Sequence, residues 1–510
     1  MLATVTRRAG LLAEGREDHV PYDHRTTPYL DAAVSYRATG YTPFHTPGHK
    51  LGKGAPDDLR AFIGDTALAV DLAMAGGVED TRESTGLIRL AEDYAAEAWG
   101  ADRSWFLVNG SSSGVHALLL TLGGPGETVI VPRNAHKSML AGLIFTGAMP
   151  VYMEPAIDPV WGVPLQVGPA HARRALRQAP QARALFVTSP TYNGLGADLG
   201  RIGELAHEAG VPFVTDQAWG PHLRFCPELP VDAMTAGADA AVVSTHKLIS
   251  GITQSAVLMA RDQRLNLARL DAMVHMTQST SPQVLMYASI DAARSQMAVH
   301  GAELWRGAIE LAQLAREQIA GLPGLRCMGA EMLSEGEVAE FDPTRLTVSA
   351  CELGLGGHEL ETVLRDDYRI AVEAADPLSV ILNITFGDRR ADIELLVGAL
   401  KEVSARYAGA RGGEAAAGCA GLLAHTPPFT RQVLSPRDAV FAPAVARPLA
   451  QCAGEVSAEM VTPYPPGIPV LGPGEEISAD VVAYLREASA AGLKVHGPED
   501  STLRTLRVVA

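Results

Sequence analysis

At 510 residues the chain is too long for one ordinary core, so two or three domains are expected; 47% hydrophobic and 20% charged residues mark a soluble globular protein. Its 58 acidic against 42 basic residues give a net charge of −16 with no basic run, which argues against a nucleic-acid or membrane-surface binder. The five cysteines (Cys226, Cys327, Cys351, Cys419, Cys452) contain no Cys-x-x-Cys pair, which argues against a disulfide framework or a zinc site and points to a reducing, cytoplasmic compartment.

Residues 1–40 are polar and mixed, and read as an N-terminal arm; Arg7 and Arg8 are followed by no apolar stretch of the kind a signal peptide needs. The segment 42–50 is too rich in proline and glycine for a helix or a central strand. Leu87, Leu90, Ala91, Tyr94 and Ala98 recur at helical spacing and predict an amphipathic helix over 86–100. Short apolar runs follow at 105–108, 128–131, 150–152, 184–187, 212–215, 240–243 and 256–259, most of them separated by helical patterns such as 199–209. That alternation predicts an α/β fold with a mostly parallel sheet buried on both faces, in a large domain over 41–290. Residues 290–320 read as a long helix. A smaller α+β unit over 291–407 ends in a helix at 392–407. A linker of small residues at 408–420 and a C-terminal unit at 421–510 complete the chain.

Ligands of parallel sheets sit beyond the carboxyl ends of the strands, so the residues following each apolar run are the candidates for chemistry. Lys247 follows the run at 240–243; alone it reads as a surface-loop lysine, but in an apolar pocket its amine becomes a nucleophile toward aldehydes. Asp216 ends the run at 212–215, where a carboxylate can pair with a pyridinium N–H or simply cap a turn. Ala218 is small enough to lie flat against a ring. Ser111 and Ser112, in Gly110-Ser111-Ser112-Ser113-Gly114, open a helix and offer hydroxyls and N–H groups to a phosphate, to which Ser244 can add a third hydroxyl. His136 follows the run at 128–131, where an imidazole can stack on a ring or be merely structural. Each feature alone has an ordinary explanation. Together they supply an amine, a pyridinium partner, a phosphate cradle and a stacking ring on one sheet.

These residues also resemble a known family, the Orn/Lys/Arg decarboxylases, whose fold is that of aspartate aminotransferase (pyridoxal-phosphate fold type I). The match is carried by the run from Ser244-Thr245-His246-Lys247 to Ser255-Ala256, and by Pro47-Gly48-His49-Lys50, Arg133-Asn134-Ala135-His136-Lys137-Ser138 and Pro190-Thr191-Tyr192-Asn193-Gly194. Ser435-Pro436-Arg437-Asp438-Ala439 and the stretch 464–475 resemble the family's C-terminal domain, and the chain looks like the short class, whose members are expected to lack a receiver-like N-terminal domain. The resemblance implies a seven-stranded sheet and bound pyridoxal 5'-phosphate (PLP). Lys247 would be its Schiff-base lysine, Asp216 the pyridinium partner and His136 the stacking ring. Ser111, Ser112 and Ser244 would hold the phosphate, with His246 and Trp219 near the reacting carbon. It further implies a homodimer, with the sites at its interface.

The expected reaction is decarboxylation of arginine, lysine or ornithine to the amine. The substrate amine displaces Lys247, CO₂ leaves, and a proton returns from Lys247, His246 or a water that they hold. An aminotransferase on the same fold would clamp the substrate carboxylate with an arginine where this chain has Asn383. An oxidative decarboxylase remains open, and a non-catalytic regulator should have lost Lys247 or Asp216. A basic substrate needs an acidic partner for its far end; Glu459 and Glu475 are the candidates.

Overall fold

The computed structural model describes residues 21–72, 86–410, 428, 430–464, 468–490 and 493–510. Residues 1–20 of the expected arm, Cys419 and most of the expected linker lie outside that set.

All seven apolar runs are strands of one sheet: β1 (Arg103–Leu107), β2 (Thr128–Pro132), β3 (Met149–Met153), β4 (Leu185–Thr188), β5 (Phe213–Asp216), β6 (Ala240–Val243) and β7 (Ala256–Ala260). Their order is β1-β7-β6-β5-β4-β2-β3, and β7 alone runs against the other six. The runs are unbroken because both faces are covered. Successive side chains point to opposite faces, so Phe213, Ala241 and Val243 enter one core while Val214, Ala240 and Val242 enter the other. The first core is completed by α1 (Leu87–Trp99), the second by α2 (Gly110–Leu122) and α3 (Lys137–Thr146). α2 lies so close to the sheet that a Cβ on Gly114 would stand 2.8 Å from both Leu107 and Val242, so only glycine fits there. The helix α4 (Leu199–Glu208) packs Ile202, Leu205 and Ala206 into the first core.

The helix expected over 290–320 is longer, α5 (Val284–Ala320), 37 residues. Its residues up to Ile309 sit in the large core, and Ala312, Ala315 and Ile319 sit in the next. The division expected at 290/291 therefore falls inside one continuous helix. The small unit is a four-stranded antiparallel sheet of β8 (Arg326–Cys327), β9 (Arg345–Ser349), β10 (Ala374–Ala375) and β11 (Val380–Asn383), in the order β10-β11-β9-β8. It is backed by α5 and α6 (Arg390–Arg406).

The C-terminal unit has its own core, including Val461, Leu471, Leu485 and Val508. There β12 (Ala444–Pro448) pairs with β15 (Thr505–Val509), β13 (Thr462–Tyr464) pairs with β14 (Lys494–His496), and α7 (Ala479–Ala490) packs against both. The described part of the N-terminal arm is docked. The helix Pro28–Ala38 gives the Tyr29 N–H to Asp291 on α5 at 2.9 Å, and Arg294 donates to the carbonyls of His24 and Thr26. Among the described residues Cys226, Cys327 and Cys452 are free thiols, and no helix is long and apolar enough to cross a membrane.

Candidate active site

A cavity of 720 Å³ opens beyond the carboxyl ends of β1, β2, β4, β5 and β6, and Lys247, Asp216, His136, Ser111, Ser112 and Ser244 all line it. So do His246, Ala218 and Trp219. One helical turn, Thr245–Leu248, follows β6 and carries Lys247 into the cavity. Its Nζ stands 3.9 Å from the centroid of the Trp219 ring. Burial lowers the Lys247 ammonium to about 8; Arg345 adds to the lowering, and Asp216 and Glu373 oppose it. A lysine held there is substantially neutral, and so nucleophilic, near pH 8.

Asp216 ends β5 and is buried; the N–H of Ala218 donates to its Oδ1 at 3.1 Å, the one hydrogen bond to its carboxylate among the described residues. Burial pushes its carboxyl upward, with Lys247 and His136 pulling the other way. A cationic N–H donor from a ligand would keep it ionised, and a pyridinium is such a donor.

The serines stand where α2 begins. Asn109 precedes the helix but does not cap it, sending its amide to the Thr277 carbonyl at 3.0 Å instead. The first-turn N–H groups beside Ser111 and Ser112 thus have no side-chain cap, and Ser244 Oγ donates to Ser111 Oγ at 3.0 Å from the next element. An uncapped helix start with three hydroxyls fits a phosphate. The sidedness fits PLP as a whole: carboxylate, amine and anion cradle face one space, and Ala218 leaves room for a flat ring. The residues that would hold it are Lys247, Asp216, Ser111, Ser112, Ser244 and His136.

His136 caps α3, its Nδ1 accepting from the Ser138 N–H at 3.3 Å, which leaves the proton on Nε2 in the neutral ring. Desolvation holds its pKa below the usual imidazole value, with Lys247 and Lys137 adding and Asp216 opposing. In His246, Nδ1 lies 2.8 Å from the Ser255 carbonyl and must be the donor; Nε2 is then the atom able to exchange a proton in the cavity.

Two expected substrate residues are engaged elsewhere. Glu475 is fully buried in a two-pronged pair with Arg133, with Nη2 to Oε2 at 2.8 Å, and also accepts the Gly472 N–H. Glu459 accepts the backbone N–H groups of Glu499 and Arg507, each at 2.8 Å. Both carboxylates hold the C-terminal unit together or to the large unit, and neither lines the cavity. Reasoning from the sequence named Arg133 in a matching motif but gave it no role; its Nε also reaches the Pro469 carbonyl at 2.8 Å and its guanidinium lies over the Tyr152 ring. Through it the C-terminal unit brings Met460, Ile468 and Pro469 to the cavity wall. Position after β2 was the available signal, since Arg133 occupies the same kind of strand end as Lys247. Asn383, at the expected clamp position, is bonded to Arg345 and to Glu373 instead.

This arrangement can be set beside known proteins. Residues 27–392 match the Orn/Lys/Arg decarboxylase major domain and residues 427–501 the Orn/Lys/Arg decarboxylase C-terminal domain. The arginine decarboxylase of Halalkalibacterium halodurans is 40% identical over 95% of this chain and 97% of that enzyme. The arginine decarboxylase of Bacillus subtilis is 38% identical over 95% of this chain and 98% of its own length. The fold matches the Francisella novicida lysine decarboxylase LdcF with a TM-score of 0.84 at 21% identity, over 95% of this chain and 81% of that one. A lysine, an aspartate and an anion cradle at the strand ends, a C-terminal unit closing the wall, and full-length similarity of this degree lead to one assignment: the chain belongs to the Orn/Lys/Arg decarboxylase family.

Proposed function

We propose that the protein decarboxylates arginine to the corresponding amine and CO₂, using PLP held by Lys247. The observation that carries this reading is the placement of Asp216 at the end of β5 and of Lys247 just beyond the end of the neighbouring strand β6, both lining one cavity beside an uncapped helix start. Arginine is preferred over lysine and ornithine because the relatives similar over nearly their whole length are named arginine decarboxylases.

PLP, when bound, supplies a protonated ring that accepts the electron pair of the breaking bond between the α-carbon and the carboxylate. The rest is the work of this chain. Asp216 would keep the ring nitrogen protonated, and Ser111, Ser112 and Ser244 would anchor the phosphate. Lys247, its ammonium lowered by burial, would hold PLP through its amine and, once the substrate amine has taken that place, would be positioned to carry a proton back to the α-carbon. His246 Nε2 is the second proton carrier within the same wall. The site contains no free arginine at the clamp position to hold the substrate carboxylate in the plane of the ring. Asn383 stands there and Arg345 is already engaged, which supports loss of the carboxylate over transamination.

The same reading makes the protein a cytoplasmic homodimer whose amine product feeds polyamine formation. Exposed Tyr41, Phe44 and Phe62 near the N-terminus supply apolar surface for a second copy. The test is to load the purified chain with PLP, supply arginine, lysine and ornithine separately, and follow amine, CO₂ and oxygen. Arginine-dependent amine and CO₂ without oxygen uptake is the expected result. Oxygen loss with an amide or aldehyde product, or no turnover despite bound cofactor, would sink the assignment.

A further inference from the structure

The small unit touches the active site through one buried cation that neither the motifs nor the cofactor chemistry accounts for. Arg345 opens β9 and is fully buried. Its Nη1 donates to Asn383 Oδ1, its cross-strand neighbour on β11. Its Nη2 donates to the backbone carbonyl of Trp219 at 3.0 Å, and its Nε faces Asp342 Oδ2 at 3.5 Å. The guanidinium also lies over the Trp219 ring, 4.8 Å from the centroid, the same ring that Lys247 Nζ meets at 3.9 Å. The stem of Arg345 is fixed by Gly194, at φ +87°, where an added Cβ would come within 2.7 Å of the arginine Cγ. Asp342, in turn, is held by His222 Nε2 at 3.1 Å and by the Thr344 hydroxyl and N–H. Every strong contact of this guanidinium is thus made inside the protein.

We propose that Arg345 is a positioning residue for the reaction: it fixes Trp219 against Lys247 and keeps a permanent positive charge near the reacting amine. This rests on the reading of Lys247 as the cofactor-bearing lysine. The charged groups that act on Lys247 are Asp216 from β5, Arg345 from β9 and Glu373 just before β10, with His136 from the start of α3 responding to it in turn. Of these, Arg345 is the one that disfavours a proton on the lysine nitrogen. The Trp219 carbonyl contact spans the two units, so the same residue sets the distance between the small sheet and the wall of the cavity.

The test uses the full chain loaded with PLP and compares wild type with Arg345→Met and Arg345→Lys. Two quantities are read: the midpoint of the pH-dependent change in the visible absorption of the bound cofactor, and kcat against KM for arginine. Two charges roughly 9 Å apart at most, in a partly screened site, interact by about one pH unit, so the midpoint should rise by about that amount in Arg345→Met. In Arg345→Lys the charge remains and the fork is lost, so the midpoint should stay near wild type. There kcat should fall by about tenfold, with little change in KM, because Trp219 is no longer fixed. An unmoved midpoint in Arg345→Met with the absorption band intact overturns the proposal, as does full kcat in both variants. Should Arg345→Met fail to fold, Asn383→Asp places a neutralising carboxylate against the guanidinium; the midpoint should rise there too, and no rise is equally fatal. A wild-type chain that shows no cofactor band at all would defeat the functional reading itself, a result distinct from a loaded enzyme whose variants do not respond.

Discussion

Replacing Glu475 by glutamine should cost the protein about 3 kcal/mol, and most of the loss should appear in the C-terminal unit. The side chains of Arg133 and Glu475 are 2% and 0% exposed, so neither charge has water to fall back on. Removing one member of a buried pair typically costs about 3–5 kcal/mol, because the other is left as an uncompensated charge. Arg133 retains the Pro469 carbonyl and the Tyr152 face, which places the expectation at the lower end of that range. Urea unfolding of the full chain gives the total. Hydrogen exchange resolves its location, with faster exchange expected over 430–475 and little change in β5 and β6. The double variant Arg133→Met with Glu475→Leu should recover at least about 1 kcal/mol, since an apolar pair carries no desolvation penalty. Stability within about 0.5 kcal/mol of wild type, together with a raised KM for arginine, would show that the carboxylate serves the substrate and that the interdomain reading is wrong.

Lys247→Ala should abolish turnover and leave no cofactor attached after borohydride reduction, read by intact mass; retained covalent cofactor would move the linkage to another lysine. Asp216→Asn preserves volume and removes the charge, so kcat should fall by about 10²–10³-fold with the cofactor still bound, measured by steady-state kinetics and absorbance. Because the Lys247 ammonium is lowered to about 8 and only the neutral amine attacks an aldehyde, the rate of PLP uptake should rise with pH and level off above about 8. A rise continuing toward 10.5 would mark an unperturbed lysine. Gly114→Leu should destabilise the chain by about 1–3 kcal/mol or more in thermal unfolding, because its Cβ alone already meets Leu107 and Val242; a neutral effect would mean that α2 can lift from the sheet.

The sheet was legible because strands covered on both faces need unbroken apolar runs, and each of the seven runs became a strand to within a residue or two. Lys247, Asp216 and Ser111 were legible because strand ends are where a polar residue has reason to stand beside an apolar core. Residues paired across long stretches of chain were not. Glu475 reads as a surface or substrate-facing acid until Arg133, 342 positions away, is placed against it. Arg345 reads as an ordinary strand residue until the Trp219 carbonyl, 126 positions away, appears beside it. The docking of residues 21–40 of the expected arm was not legible because its anchors, Asp291 and Arg294, lie on a helix whose burial is set by tertiary packing. The long helix starts at Val284 rather than 290, and it passes from one core to the other between Ile309 and Ala312, a change of partner that an amphipathic pattern does not announce.

That last feature governs how the two units share their fate. α5 spans about 55 Å as a single rod, its first two thirds embedded in the large core and its last turns in the small one. A rod anchored at both ends transmits torque where a flexible linker would absorb it. The small sheet, and the guanidinium it presents to Trp219, therefore keeps its bearing relative to Lys247 for as long as the helix stays straight. Loosening either core frays the element that the other depends on, so the large and small units should lose structure in one step, as a single cooperative body with two interiors.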